Sequence, residues 1–329
     1  MKKLLSLMLA LVMSASLFTA CSAPDAEAET ETTKFTLTYP ESMTAQGYEP
    51  LVLDEVPSRI ACTSTSPVLT LDAMGASLIA IPSSTATKHI VDANPDMAIL
   101  KSLMSDEFNI EDVVALNPDL VILSASYKDS HGATLESLGI NVYYQAAGHG
   151  VSYETVKEES MCLIDAFAVS EESKAKADAL KQSFADIEDK CETLAAANEG
   201  KKIMVLQAGG PTQVYGQTSG GTLGSMLNML GFENVSDSTA AASMFAIDYE
   251  TALVDQPEML VIVGAGDAAA AKTLMGQIID SNPAYWNAMT AVAEENIMYL
   301  GREYIAVYGI GYVSALETLA TEVETFYAE

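Results

Sequence analysis

The sequence predicts an α/β protein of two similar lobes with parallel-rich sheets, joined by one long helix, with a ligand cleft between the lobes. Three observations carry this reading. Continuous apolar runs such as Asp119-Leu120-Val121-Ile122-Leu123 alternate with helical stretches, as expected for parallel strands covered on both faces. The segment Asn109–Leu123 recurs as Asp248–Val263, where Glu250, Pro257 and Glu258 match Glu111, Pro118 and Asp119 at a constant offset of 139 residues. Between the copies, Ala177, Leu180, Phe184, Ile187, Cys191 and Leu194 recur at spacings of three and four, which makes one amphipathic helix.

Taken in order, residues 1–20 open Met1-Lys2-Lys3 and continue through an apolar run from Leu4 that is too short to span a bilayer, so they read as a signal peptide. The run closes Leu17-Phe18-Thr19-Ala20-Cys21, which resembles the lipobox of bacterial lipoproteins and makes Cys21 the expected lipid attachment point. Residues 21–34 are acidic and lack large apolar side chains up to Thr33, and form a flexible tether. The N-terminal lobe, 35–169, begins with an alternating segment (Phe35, Leu37, Tyr39) and holds strands at Arg59–Thr63, Leu78–Ile81 and Asp119–Leu123, with a helix running to Gly75. Ser170-Glu171-Glu172 caps the linking helix, 170–198, with acids in the first turn where they complement the helix dipole. The C-terminal lobe, 199–329, repeats the plan with Lys202–Leu206 as its first strand, a helix ending Met226–Gly231, and the second copy of the proline-stopped strand.

The 329 residues include 16 Lys and Arg against 45 Asp and Glu, a formal charge of −29, which repels a phosphate backbone and argues against nucleic acid as a partner. Cys62, Cys162 and Cys191 lie within apolar patterns and read as buried thiols, with no CxxC pair to suggest zinc or dithiol chemistry. No GxSxG elbow, HExxH pair or phosphate-binding Walker loop is present, and His89, His131 and His149 have no partners at metal-ligand spacing. The strand Val261–Val263 does run into Gly264-Ala265-Gly266-Asp267-Ala268-Ala269, a GxGxxA turn. It admits two readings: a nucleotide-dependent surface enzyme, or a tight turn whose glycines bring backbone close to the cleft. No acid ends a second strand about twenty residues on, as ribose recognition needs, so the expectation is a binding protein without catalytic activity or a resident cofactor.

In open parallel sheets, ligands sit beyond the carboxyl ends of the strands. The loops expected there are Ser64-Thr65-Ser66, Ser83-Ser84-Thr85, Ser124-Ala125-Ser126-Tyr127, Gln207-Ala208-Gly209-Gly210 and Gly301–Gly309. Rich in hydroxyl and phenol groups and poor in charge, they suit a large, partly apolar ligand better than a bare ion. Thr65, Ser66, Tyr127, Tyr215, Tyr304 and Tyr308 are the candidate contacts. Glu111 and Glu250 fall in the first turns of matched helices, on the cleft side of each lobe; helix-dipole stabilisation and a docking role both account for an acid there.

Val56-Pro57-Ser58-Arg59-Ile60, Leu71-Asp72-Ala73-Met74-Gly75, Asn117-Pro118-Asp119-Leu120-Val121-Ile122, the linking helix and the second copy of the pattern together resemble the helical-backbone substrate-binding lipoproteins of ABC importers, which serve haem, siderophores and cobalamin. The resemblance implies a monomeric receptor, tethered to the outer face of the cell membrane, that docks on its permease through Glu111 and Glu250. Ile81–Thr85, Leu103-Met104-Ser105 and Gly231–Val235 look most like haem receptors of the iron-regulated surface determinant type, which implies Met104 as an iron ligand; as one of 16 methionines it could equally pack in the core. The family's second-lobe histidine would stand near Ala265-Gly266, where this chain has none. Tyr304 or Tyr308 could replace it as a phenolate, or the cargo could be a ferric siderophore or cobalamin instead.

Overall fold

The computed structural model describes residues 34–146, 152–247, 256–264, 266–305 and 307–328. The leader, Cys21, His149, Glu250 and Ala265 lie outside the described residues. Two separate sheets form the two lobes, as the alternating pattern requires.

In the N-terminal lobe a hairpin, β1 (Phe35–Leu37) and β2 (Leu51–Leu53), flanks the short helix α1 (Glu41–Thr44). The main sheet follows: β3 (Ile60–Cys62), α2 (Ser66–Met74), β4 (Leu78–Pro82), α3 (Lys88–Ala93), β5 (Ala98–Leu100), α4 (Ile110–Ala115), β6 (Leu120–Ser124), α5 (Ala133–Ser137) and β7 (Asn141–Gln145), then α6 (Tyr153–Phe167). Its order is β5-β4-β3-β6-β7 and every pairing is parallel. The motif residues around Arg59 have a plain structural reason. The Arg59 guanidinium donates to the carbonyls of Leu116 and Asn117 (2.6 and 2.9 Å), satisfying the end of α4, while the Asp119 carboxylate accepts from the backbone N–H groups of Ser58 and Arg59.

The helix α7 runs from Glu171 to Asn198, about 42 Å at 1.5 Å per residue. Ser170 and Ser173 cap it reciprocally, each side chain accepting from the other's backbone N–H. Beyond it lie β8 (Lys202–Gly210), β9 (Gln213–Gln217), α8 (Thr222–Met229), β10 (Glu233–Asn234), β11 (Met244–Ala246), β12 (Met259–Val263), α9 (Ala268–Ser281), α10 (Pro283–Trp286), α11 (Thr290–Ala293), β13 (Ile297–Leu300) and α12 (Gly311–Ala328). The second sheet is ordered β11-β9-β8-β12-β13, with β10 beside β8. It repeats the topology of the first, with one difference from the sequence reading. Gln207-Ala208-Gly209-Gly210 is not a loop but the end of β8, which turns into β9 as an antiparallel hairpin, so this sheet is mixed. The alternation Gln213-Val214-Tyr215 fits a strand, and the Gly-Gly-Pro-Thr sequence before it is the turn chemistry that was passed over.

Side-chain alternation divides the interior. Ile60, Cys62, Leu120 and Ile122 face one way, with Ile203, Val205, Met259, Val261 and Val263 of the other sheet, into a single core completed by α2, α6, α7, α8 and α12. The intervening residues, Ala61, Val121 and Leu123 in one lobe and Met204, Leu206, Leu260 and Ile262 in the other, fill two outer cores. Gly231 ends the α8 turn at φ +92°, and its bare Cα faces the Ala195 backbone of α7 where a Cβ would overlap it. Cys62 and Cys191 are buried in the shared core, Cys162 is half-buried, and all three are free; burial pushes the Cys191 thiol up to about 11, so it stays an inert protonated group.

Candidate ligand-binding site

In both sheets the strand order reverses at the pair formed by the first and third major strands, β3 beside β6 and β8 beside β12, which makes the carboxyl ends of these pairs the topological switch points. The two lobes meet next to them. Gly309, at φ +48° in the segment after β13, packs against the Ser66 carbonyl and the Thr70 hydroxyl of α2, and Gly311 packs against Leu69. Across the same line the Tyr153 N–H donates to the Ser225 hydroxyl of α8 (3.0 Å), and the Tyr153 and Tyr312 rings meet edge-on at 6.0 Å. Ser66 and Tyr308 are thereby brought together: both are half-buried, on facing loops at the seam. Thr65, also half-buried, precedes Ser66 at the start of α2.

On the N-terminal lobe, the loop between β5 and α4 displays Met104 with 71% of its surface exposed, so the core reading of this methionine does not hold. An exposed thioether on a short loop needs holding. Met104 N–H bonds to the Ser102 hydroxyl (3.2 Å), and the Tyr127 hydroxyl, from the end of β6, donates to the Leu103 carbonyl (3.2 Å). Tyr127 in turn stacks on His131 (5.5 Å between centroids, 15° between planes), which also meets the Phe108 ring at 5.2 Å. His131 rises on a single π turn, Lys128–Gly132, whose end packs tightly on Tyr144 through Gly132. Sequence reasoning passed over His131 because it sought metal-ligand spacing; the available signal was its position four residues after Tyr127, beyond a strand end.

On the C-terminal lobe, Tyr215 is 40% exposed on β9, with Gln207 of β8 and Ala246 of β11 as its cross-strand partners. Tyr304 departs from the expected loop phenol. Its ring is fully buried in the shared core and its hydroxyl lies by the Glu322 carboxyl of α12. Burial and that neighbouring carboxylate both raise its pKa, the opposite of what a phenolate ligand requires. The physical reason is the 3₁₀ turn Arg302–Tyr304, which folds the side chain inward.

At the edge of the N-terminal site, the Ser64 hydroxyl donates to Gln145 (2.7 Å), and the buried carboxylate of Glu159 accepts the Ala146 N–H (2.6 Å). Desolvation dominates over that hydrogen bond and pushes Glu159 up to about 7. Glu111 is exposed in the first turn of α4, whose cap is the Asn109 side chain accepting from Glu111 N–H (3.0 Å); among the described residues no basic group pairs with it. The GxGxxA turn leads into α9, and there the Asp267 carboxylate already accepts from Ala270 N–H (2.8 Å). An acid seated at that helix start opposes a pyrophosphate in the same place. Among the described residues no group of three or more His, Cys, Asp or Glu side chains is arranged to hold a bare metal ion, and no helix is long and apolar enough to cross a membrane.

Solved structures share this fold. A haem complex of IsdE from S. aureus is 20% identical, covering 80% of this chain and 98% of its own, with a TM-score of 0.61. The siderophore-binding protein BauB, with two acinetobactin molecules and ferric iron, is 15% identical, covering 88% and 98%, at 0.65. The periplasmic vitamin B12 binding protein BtuF of Vibrio cholerae is 16% identical, covering 83% and 99%, at 0.60. No curated protein matches in sequence. The family model described as periplasmic binding protein matches residues 60–304, from the first strand of the main sheet to the 3₁₀ turn after the last, and the chain belongs to that family.

Proposed function

We propose that the protein is the extracytoplasmic receptor of an ABC importer, capturing a metal-centred macrocycle or chelate, haem in first place, and delivering it to the permease without chemical change. The observation that carries the reading is the exposed Met104 thioether on a loop tied down by Tyr127, at the carboxyl ends of the first sheet. A thioether is a neutral, soft donor suited to haem iron. Ser66, Thr65 and Tyr308 at the seam, with Tyr127 and Tyr215 on the lobes, supply hydroxyl and aromatic contacts for a large conjugated ligand. Structural neighbours that carry haem, a ferric siderophore and vitamin B12 support this cargo class.

In this reading Cys21 carries the lipid that keeps the receptor at the membrane, residues 21–34 are its tether, and Glu111 with Glu250 docks on the permease, the receptor acting as a monomer. A ferric siderophore is the second reading, favoured by the lack of a histidine at 264–266. The test is a spectral titration of residues 22–329 with haem, cobalamin and ferric siderophores. A Soret shift that saturates at one equivalent and changes in Met104→Ala is expected; saturable binding of one of the other two alone would reassign the cargo, and binding of none would remove the reading.

A further inference from the structure

The methionines of the described residues divide sharply by burial. Met43, Met74, Met204, Met226, Met259, Met275, Met289 and Met298 are buried, and Met97, Met161 and Met229 pack partly buried against the shared core. Two stand out: Met104, 71% exposed on the first lobe, and Met244, 38% exposed on the second. Leaving a large apolar side chain in water forfeits about 1.5–3 kcal/mol of burial. One thioether is left so on each lobe.

The position of Met244 is set by the sheet. It pairs with Gln217 of β9, which pairs with Val205 of β8, so Met244 shares a sheet face with Tyr215, Gln217 and Val205. Val205 belongs to the core common to both lobes, so this is the face turned toward α8 and the first lobe. The residue before it, Ser243, accepts the Thr218 N–H (3.1 Å) and lies against Gly221, the cap of α8. That helix receives the Tyr153 N–H of the first lobe on Ser225. Met244 therefore stands beside the part of the second lobe that abuts the first.

We propose that Met244 is the second-lobe iron ligand, so that haem is held between two thioethers, Met104 and Met244, one from each lobe. The inference rests on the haem reading above and names the donor that the missing histidine and the buried Tyr304 leave open. Two neutral sulfur donors favour ferrous over ferric iron and so raise the reduction potential of the bound haem relative to histidine ligation.

The test uses the lipid-free chain, residues 22–329, loaded with haem, and compares wild type with Met244→Ala, Met244→Leu, Met104→Ala and Tyr215→Phe. Six-coordinate, low-spin absorption and magnetic circular dichroism spectra with thioether-to-iron charge transfer are expected for wild type and Tyr215→Phe. Met244→Leu keeps the shape and apolarity of the site but should give a five-coordinate or water-ligated spectrum and at least tenfold faster haem loss, with far-UV circular dichroism unchanged. Haem bound with a spectrum that Met244→Ala and Met244→Leu leave unaltered would overturn the assignment while the haem reading stands. The same holds if Tyr215→Phe alone abolishes the low-spin signature. Failure of wild type to bind haem at all would overturn both.

Discussion

Glu159 offers a worked test of how burial shapes this protein. Its carboxyl is 7% exposed on α6, beside Glu158, Tyr143 and Cys162, with no cation among the groups that shift it. Its folded-state pKa of about 7, against the ordinary 4.5, means that the folded protein holds this proton more tightly than the unfolded chain does. The associated stability is therefore fully present below about pH 4.5 and lost as the pH rises through about 7. At about 1.4 kcal/mol per pH unit the loss amounts to about 3 kcal/mol above pH 8. Glu159→Gln keeps an oxygen to accept the Ala146 N–H and removes the ionisation. Urea unfolding from pH 4.5 to 8.5 should show the variant close to wild type at the acid end and more stable by about 2–3 kcal/mol at the alkaline end. Equal stabilities across the range, or a variant weaker at pH 8.5, would refute the argument that desolvation dominates at this site.

Other outcomes follow from single contacts. Gly309→Ala places a Cβ against the Ser66 carbonyl at a left-handed φ, and a thermal melt should record a loss of about 2–4 kcal/mol, since both the backbone strain and the overlap act. Tyr127→Phe removes the tie to the Leu103 carbonyl, worth about 1 kcal/mol; cargo affinity should fall roughly fivefold by fluorescence titration while the melting temperature changes little. Glu111→Ala combined with Glu250→Ala should abolish most cargo uptake by whole cells and leave equilibrium affinity for the cargo unchanged, and undiminished transport would remove the docking role.

Much of the architecture was legible because burial on both faces leaves unbroken apolar runs, and because Arg59, Pro118 and Asp119 mark a turn whose polar groups must be satisfied locally. The hairpin β8–β9 was less legible: Gln207-Ala208-Gly209-Gly210 has loop-like composition, and its strand character comes from pairing with Val214 and Tyr215 across the turn. Residue identity also says little about whether a side chain points in or out of a loop. Tyr304 and Tyr308 share one segment, yet the 3₁₀ turn buries the former and leaves the latter half-exposed. Met104 posed the same problem in reverse, because nothing in Leu103-Met104-Ser105 distinguishes a displayed thioether from a packed one; the Ser102 and Tyr127 contacts decide it.

The interior common to both halves has a mechanical consequence. Where α2, α6, α7, α8 and α12 interlock in one apolar body, swinging the walls apart would expose packed surface rather than flex a joint. Such a receptor has a stiff grip: spontaneous escape of its load is governed by the loops at the rim, and emptying it quickly demands outside leverage. A transporter that pries on two points, one per half, supplies that leverage at the moment of handover.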